Sequence, residues 1–355
     1  MIHLFSSIFL RVSIPTKNCI SKMSSSILSD VLSFSVAAAE KGGEIVRQVL
    51  STGKLGVLEK TGINDLQTLA DRRVSDVLQM SFCKSFPGLR VISEEGNHYF
   101  DEAGPKKFIV SSSKSQNPYC VPEELQNVSL EDITVWIDPL DGTKEFADGF
   151  LERVTVLIGI AVQGKAIAGV VHQPYYKRDG NMGRTLYGAI GGKVEINFVK
   201  QSPSKDGKII VTTRSHSTKI VDEVINTLNP SEVLRVGGAG YKVLMLLDGQ
   251  ADAYVFPTPG CKKWDTCAPE AILHALGGRL TDIWGNNYLY NFDVQHINEW
   301  GVIASANAND HQSLIEQIPE DLKKQVRDCY KNKNLTLLDL VLYFFYYQIY
   351  KLYLL

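Results

Sequence analysis

The chain has 355 residues, 44% of them hydrophobic, which is enough to bury one large core or two smaller ones. Its formal net charge is -2 and its basic residues are not concentrated in the middle of the chain, so the composition argues against binding of nucleic-acid polymers. The six cysteines are widely spaced without a C-x-x-C pair, so neither a zinc site nor a disulfide framework is indicated, and we expect a reducing, cytoplasmic location rather than a mitochondrial or membrane-associated one.

The amino-terminal end differs in composition from the centre of the chain. Residues 1–22 contain serines and basic residues but no acidic residue, as transit peptides do. Met23 begins a second plausible start, so the segment is either an upstream extension, which is the simpler interpretation, or a targeting segment. Its apolar stretch is too short for a secretory signal.

The carboxy-terminal tail, residues 321–355, is basic at first and then hydrophobic. Its last part, 335–355, has about the length of a membrane span and follows several lysines. Asp339, Gln348 and Lys351 argue against insertion because polar and charged groups are costly inside a bilayer. Three interpretations stay open: membrane contact through an anchor, an amphipathic or packed helix, and an artefact of the sequence assignment.

Hydrophobic periodicity predicts helices over 27–50 and 66–86, and Pro87-Gly88 ends the second one. The segment LRVISEE is then typical of a strand, the polar residues 97–131 predict an exposed loop region, and ITVWID predicts another strand. Beyond residue 153, the segments TVLIGIAV, KAIAGVVHQP and TLYGAIGG alternate with turns. This spacing predicts an antiparallel meander.

After about residue 207 the pattern changes to alternating strands and helices, which is typical of an α/β arrangement. The predicted strands are KIIVTTR, VLRV, ADAYVF and RLTDI, with helices over 218–228, after GGAG and after KKWD. We therefore expect an N-terminal α+β metal-binding part, residues 23–195, and a C-terminal α/β part, residues 196–320.

The stretch VWIDPLDGTKEF, residues 135–146, places two carboxylates at the end of a buried strand. Pro139 lies between Asp138 and Asp141 and cannot donate to a sheet ladder, so we expect the strand to end there and the chain to turn. The two carboxylates and the carbonyl of Leu140 could then meet at one point. Ligation by oxygen alone suits Mg²⁺ better than zinc.

Other segments strengthen this interpretation. The N–H groups of Gly142 and Thr143 follow the two aspartates and could form a phosphate seat. Glu94 ends another predicted strand, and Asp265 stands at the start of a predicted helix, where the dipole favours a negative charge. The glycines of GGAG, 237–240, could let backbone N–H groups approach an anion. Taken one by one, these features are also explained by turns, strand ends and helix caps.

Together the motifs resemble the three signatures of a known superfamily. Glu94-Glu95, the DPLDGT run from Asp138 to Thr143, and Trp264-Asp265 are similar to those of the lithium-sensitive, magnesium-dependent phosphomonoesterases, which include inositol monophosphatase and fructose-1,6-bisphosphatase. Within it, the segments TTRSHS, LRVGGAGYK and YVFPTPGCKKWDTCAPEAILHALGG are most similar to the 3'(2'),5'-bisphosphate nucleotidases. The resemblance covers roughly residues 25 to 320.

The resemblance implies a fold and a set of site residues. The implied fold is α/β in the layered α+β sense, a five-layer αβαβα sandwich with the site between its two parts. Two or three Mg²⁺ ions are implied, with the ligands Glu94, Asp138, the Leu140 carbonyl, Asp141 and Asp265. Asp71 and Thr143 would activate the attacking water, although Asp71 could instead be a helix-end carboxylate or a partner of Arg72 or Arg73. The implied substrate-binding residues are Gly142, Thr213, His216, Gly238 and Lys242.

The implied activity is removal of the 3'-phosphate of adenosine 3',5'-bisphosphate, giving AMP and phosphate, a step that would clear a by-product of sulfate transfer. The implied partner is thus a small phosphonucleotide. The resemblance also extends to 3'-phosphoadenosine 5'-phosphosulfate and inositol 1,4-bisphosphate as substrates. An inositol polyphosphate 1-phosphatase or inositol monophosphatase activity is the alternative among enzymes. A catalytically weak phosphonucleotide-binding or membrane-tethered protein is the alternative of another class.

Overall fold

A computed structural model describes residues 26–60, 66–96, 110, 119, 121–178, 180–195 and 207–328, and the fold given below is that of these residues. The helices are α1 (Ile27–Ser51), α2 (Leu69–Ser85), α3 (Thr143–Asp148), α4 (Lys219–Thr227), α5 (Ala239–Leu247), α6 (Lys263–Ala275) and α7 (Ala308–Gln317). Residues 320–328 are also helical, and short 3₁₀ turns cover 123–125, 130–132 and 151–153.

The strands form one large sheet, one smaller sheet and one short hairpin-like pair. They are β1 (Leu58–Glu59), β2 (Leu66–Gln67), β3 (Arg90–Ser93), β4 (Ile133–Asp141), β5 (Thr155–Val162), β6 (Lys165–Arg178), β7 (Asn181–Ala189), β8 (Val194–Glu195), β9 (Ile209–Thr213), β10 (Glu232–Val236), β11 (Ala253–Phe256), β12 (Arg279–Thr281) and β13 (Val302–Ser305).

The larger sheet has six strands in the order β3-β4-β5-β6-β7-β8. β3 is parallel to β4, and the remaining neighbours are antiparallel, so the predicted meander is confirmed. β4 and β5 are buried along their whole length because helices cover both faces of the sheet. α1 and α2 pack on one face and α6 packs on the other.

The smaller sheet has five strands in the order β10-β9-β11-β13-β12. β9, β10 and β11 are parallel, and β13 is antiparallel to its neighbours. The chain passes from β9 to β10 on one side and back to β11 on the other, and right-handed crossovers therefore place α4 and α5 on opposite faces. α5 and α6 contact both sheets, while α4 and α7 cover the outer face.

The order of layers is thus helix, sheet, helix, sheet, helix, and the predicted five-layer fold is confirmed. β8 ends at Glu195 and β9 begins at Ile209. The division of the chain at residues 195 and 196 into two parts stays a prediction.

Two glycines let α6 approach the larger sheet closely. A Cβ added to Gly159 of β5 would stand 2.5 Å from Cys267 Cβ, and one added to Gly169 of β6 would stand 2.6 Å from the Ala268 carbonyl oxygen. Helix and sheet are therefore in backbone contact here. This contact sets the height of α6 above the sheet.

Two expectations about element ends were wrong. The second helix begins at Leu69 instead of residue 66, because Thr68 Oγ1 accepts a hydrogen bond from Ala70 N at 3.2 Å and Leu66 and Gln67 pair with β1. β4 does not end at Pro139: it continues to Asp141, and its pairing with β5 shifts register between Asp138 and Asp141. A strand tolerates proline at such an irregularity because no ladder donor is needed there.

Within the described residues, no helix has both the length and the apolar composition needed to cross a bilayer. Residues 1–22, most of the polar region 97–131, and the hydrophobic stretch 335–355 lie outside the described part of the chain. The interpretations given for them stay predictions.

Candidate active site

Three aspartates from two elements converge beside the ends of the two sheets. Asp138 and Asp141 come from the end of β4 and Asp265 from the first turn of α6, and one oxygen of each lies within 4.8 Å of the others. Asp265 Oδ2 accepts a hydrogen bond from Lys262 N at 2.6 Å, which fixes the carboxylate at the start of the helix. The group could hold a metal ion.

Burial makes this carboxylate group costly without a cation. Desolvation, followed by the charges of Glu94 and Asp141, raises the pKa of Asp265 to about 7. The same two effects raise the pKa of Asp138 well above its usual range. Oxygen donors held this close to one another fit a hard divalent cation, which would offset their mutual repulsion.

Asp141 also caps the helix α5. Its two oxygens accept hydrogen bonds from Ala239 N and Gly240 N, both at 2.8 Å, and Thr155 Oγ1 donates to Oδ2 at 2.7 Å. We expected the N–H groups of GGAG to approach an anion at the following helix, and for these two groups that anion is the Asp141 carboxylate. The two oxygens of a carboxylate match the two adjacent donors of a helix start, and the dipole favours the negative charge.

Glu94 lines the same cavity but lies outside the group of three aspartates. Lys60 Nζ lies 2.9 Å from Glu94 Oε1 and 2.9 Å from Glu95 Oε1. Burial raises the pKa of Glu94, and the Lys60 ammonium opposes this effect. The structure thus brings Glu94 to the predicted place and pairs it with a lysine that the sequence analysis did not single out.

The predicted pair of Asp71 and Thr143 is in hydrogen-bond contact. Thr143 Oγ1 lies 2.9 Å from Asp71 Oδ1 and 3.0 Å from the Leu140 carbonyl oxygen. Asp71 Oδ2 accepts from the N–H and the hydroxyl of Thr68 at 2.7 and 2.5 Å, so Asp71 also caps α2. Burial raises the pKa of Asp71 to about 7, against the effect of the Thr68 hydrogen bonds.

Asp71 is therefore both a helix-end carboxylate and a partner of Thr143. The suggested pairing with Arg72 is wrong, because the Arg72 guanidinium donates to Gln67 Oε1 and to the Gly56 carbonyl. A buried carboxylate with one oxygen on a hydroxyl that faces the cavity can accept a proton through that hydroxyl.

The predicted substrate-binding residues line the same cavity, whose volume is about 250 Å³. Thr213 Oγ1 accepts from His216 N at 3.2 Å. Lys242 is buried, donates from Nζ to the Gly238 carbonyl at 2.9 Å and lies 4.9 Å from the centre of the Tyr254 ring. Of the predicted site residues, Glu94, Asp138, Leu140, Asp141, Gly142, Thr143, Thr213, His216, Gly238, Lys242 and Asp265 line this cavity, with Asp71 behind Thr143.

Gly238 has a conformation that favours glycine, with a φ of 77°. A Cβ added there would lie 2.8 Å from the Arg153 carbonyl oxygen and 3.3 Å from Asp141 Oδ2. A larger residue at this position would push against both the metal-ligand candidate and the turn at 151–153.

Several residues of the site were missed in the sequence. Lys144 and Lys262 add positive charge to the cavity wall, which suits a phosphorylated ligand. Both lysines lie next to the DPLDGT and WD motifs in the sequence, so the sequence analysis could have included them as candidate site residues. Thr155 carried no local signal, because its role depends on the pairing of β5 with β4 opposite Asp141.

Comparisons with known proteins agree with this geometry. Residues 27–323 match the model of the inositol monophosphatase family. The chain is 46% identical over 309 residues to human "3'(2'),5'-bisphosphate nucleotidase 1", covering 84% of this chain and 97% of that protein. It is 35% identical over 301 residues to the Dictyostelium discoideum protein of the same name, covering 81% and 95%.

A solved structure has the same fold. The extragenic suppressor protein suhB from Bartonella henselae matches with a TM-score of 0.61 at 21% identity, over 82% of this chain and 98% of that one. With the carboxylate group, the Asp71–Thr143 pair and the sequence match over most of its length, this chain belongs to the inositol monophosphatase family.

Proposed function

We propose that the protein is a Mg²⁺-dependent phosphomonoesterase that hydrolyses the 3'-phosphate of adenosine 3',5'-bisphosphate to AMP and phosphate. The relatives that are 46% and 35% identical over most of their length are named for bisphosphate nucleotidase activity. The observation that carries the proposal is one cavity that contains buried carboxylates, the hydroxyl of Thr143, the Lys242 ammonium and the His216 imidazole. The carboxylates fit the metal, and the cationic wall fits a second phosphate.

The metal would be held by oxygen ligands of the N-terminal part and of α6. We propose two or three Mg²⁺ ions on Glu94, Asp138, the Leu140 carbonyl, Asp141 and Asp265. The family is metal-dependent, and the donor set is hard oxygen throughout. When bound, the ions would neutralise phosphoryl charge and lower the pKa of a bound water.

The chain's own residues would move the proton of the attacking water. In this proposal the Thr143 hydroxyl takes a proton from that water while passing its own to Asp71. The 2.9 Å contact between Thr143 Oγ1 and Asp71 Oδ1 supports the relay. The two Thr68 donors bind Asp71 Oδ2 and keep the carboxylate in one orientation. Its other oxygen, Oδ1, therefore faces the Thr143 hydroxyl.

The substrate's 5'-phosphate would lie on the opposite wall. We propose that Thr213, His216, Gly238 and Lys242 meet that side of the nucleotide, while the N–H groups of Gly142 and Thr143 meet the 3'-phosphate that is hydrolysed. Lys242 is buried and held against Gly238 and Tyr254, so its ammonium is already placed at the wall. A preplaced cation loses less entropy on binding than a mobile one.

The cytoplasm is the proposed location. Among the described cysteines, Cys83, Cys261 and Cys267 are free thiols, which is consistent with a reducing compartment.

The test is phosphate release by the full chain from adenosine 3',5'-bisphosphate and from inositol 1,4-bisphosphate, with Mg²⁺, with a chelator and with added lithium. We expect Mg²⁺-dependent, lithium-sensitive release that favours the nucleotide. The variant Asp138→Asn should lose activity, and Asp293→Asn, a change at an exposed aspartate, should keep it. Preference for the inositol substrate would overturn the substrate assignment. No release from either by a folded protein would overturn the enzymatic function.

A further inference from the structure

Arg214 joins the predicted nucleotide side of the cavity to the helix that follows the metal-ligand candidates. It stands between Thr213, at the end of β9, and Ser215, and both neighbours line the cavity. Its Nε donates to Glu145 Oε1 at 2.9 Å and its Nη2 donates to Asp148 Oδ2 at 2.6 Å. Both acids belong to α3, which begins two residues after Asp141.

Glu145 is the buried end of this contact. Its side chain is only 3% exposed, whereas that of Arg214 is 28% exposed. The Glu145 carboxylate lies directly against Gly237, where an added Cβ would collide with it. Gly237 precedes the Gly238 turn into α5, so the Arg214–Glu145 pair brings the loop 213–216, α3 and the start of α5 together.

The aromatic ring of Phe150 supports the same arginine. The Arg214 guanidinium carbon lies 4.9 Å from the centre of that ring, and the Arg153 guanidinium carbon lies 4.5 Å from it. Cations at such distances from a ring are attracted to it. The guanidinium therefore has two carboxylates and one ring as neighbours, and its orientation is strongly restricted.

The contact crosses between the two sheets. β9 lies in the five-stranded sheet, and α3 continues the chain from β4 of the six-stranded sheet. The residues that follow this loop have contacts within their own part: Arg235 of β10 donates to Ser217 Oγ at 2.8 Å and to Asp222 Oδ1 of α4 at 2.6 Å. Arg214 thus links the loop to the carboxylate side of the cavity, whereas Arg235 links the residues after the loop to β10.

We propose that Arg214 is a positioning residue that sets the distance between the metal-binding carboxylates and the residues that bind the nucleotide's 5'-phosphate. The inference rests on the proposed function. A substrate that spans both sides of the cavity depends on that distance, because its two phosphates must fit at once. A substrate that uses only the carboxylate side does not.

The test compares Arg214→Lys with the full wild-type chain on two substrates. Lysine keeps the charge but cannot bond Glu145 and Asp148 through a planar fork. We expect the KM for adenosine 3',5'-bisphosphate to rise by about tenfold, because a 5'-phosphate held at the wrong distance would lose about one charge-assisted hydrogen bond to its wall of the cavity. The kcat/KM for adenosine 3'-monophosphate, which lacks the 5'-phosphate and so uses only the carboxylate side, should stay within about twofold.

Two further variants separate positioning from folding. Arg214→Met combined with Glu145→Gln removes both charges without leaving a buried carboxylate unpaired, and it should show the same substrate split. Arg235→Lys is the matched control, because Arg235 also has two partners beside this loop but none on α3. It should leave both substrates unaffected.

The outcomes distinguish the two proposals. If wild-type protein releases no phosphate from the nucleotide, the proposed function has failed. If it does so and Arg214→Lys matches it on both substrates, the positioning role of Arg214 is refuted. Equal losses on both substrates, or equal effects of the changes at Arg214 and Arg235, would also refute it, since they would indicate a general loss of order.

Discussion

Gly169 offers a strong test of how the fold positions the active site. In the variant Gly169→Ala, the new Cβ would lie 2.6 Å from the Ala268 carbonyl oxygen and 2.8 Å from Ala268 Cα. Both atoms are backbone atoms of α6, so no side-chain rotation can relieve the overlap. To reach a normal contact distance, the helix must retreat from β6 by about 0.8 Å.

Such a shift would reach the metal-ligand candidate Asp265, which lies three residues before Ala268 on the same helix. Overpacking of this kind costs about 1–3 kcal/mol of unfolding free energy. Misplacing a catalytic group by about 1 Å costs about 100-fold in rate. We therefore expect kcat for the nucleotide to fall by about 30- to 100-fold while the protein stays folded.

The assay is steady-state phosphate release at saturating Mg²⁺, together with urea unfolding. Gly42→Ala is the control, because its added Cβ would meet only side-chain atoms, Val74 Cγ1 at 3.0 Å and the Val156 methyl carbons, away from Asp265. It should keep its activity. Activity of Gly169→Ala within about twofold of wild type, with the expected loss of stability, would refute the claim that the glycine contact sets the position of Asp265.

Three further predictions concern proton transfer, packing and pH. Thr143→Val should lower kcat by about 100-fold or more with an unchanged melting temperature, because it breaks the contact with Asp71; unchanged kcat would exclude the relay. Arg184→Met should lower the unfolding free energy by about 3 kcal/mol in urea titrations, because it leaves Asp248, bonded at 2.9 and 2.6 Å, without its cation. A loss below about 1 kcal/mol would contradict that reading of the pair. Burial lowers the pKa of His172 to about 4, so the unfolded state binds more protons between about pH 6.5 and 4 and stability should fall as the pH decreases through this range. His172→Gln should show a smaller decrease between pH 7 and 5, and an identical decrease would exclude His172 as a source.

The sequence predicted most of the architecture because its signals are local. The meander follows from alternating apolar runs and turns, and the α/β part follows from strand and helix periods. The error at Pro139 has a physical reason: a missing N–H ends a strand only where a ladder donor is required, and the register shift between Asp138 and Asp141 removes that need.

The candidate site was predictable where a motif carries several ligands, and less so where tertiary contacts decide. The DPLDGT run located Asp138, Asp141 and Thr143, but the capping of α5 by Asp141 joins residues 98 and 99 positions apart. Nothing local to Thr155 indicates that it donates to the same carboxylate. In the sequence, Arg214 is likewise indistinguishable from a surface charge, because its partner Glu145 lies 69 residues away on α3.

The measurement that tests the central claim most directly is ³¹P NMR of adenosine 3',5'-bisphosphate during turnover by the full chain with Mg²⁺. The 3'- and 5'-phosphate signals are separate, so the spectrum shows which ester is cleaved. The account predicts that the 3'-phosphate signal disappears, inorganic phosphate grows in equal amount, and the 5'-phosphate signal of AMP persists. Loss of the 5'-phosphate first, or no inorganic phosphate from a folded, Mg²⁺-loaded protein, would contradict it.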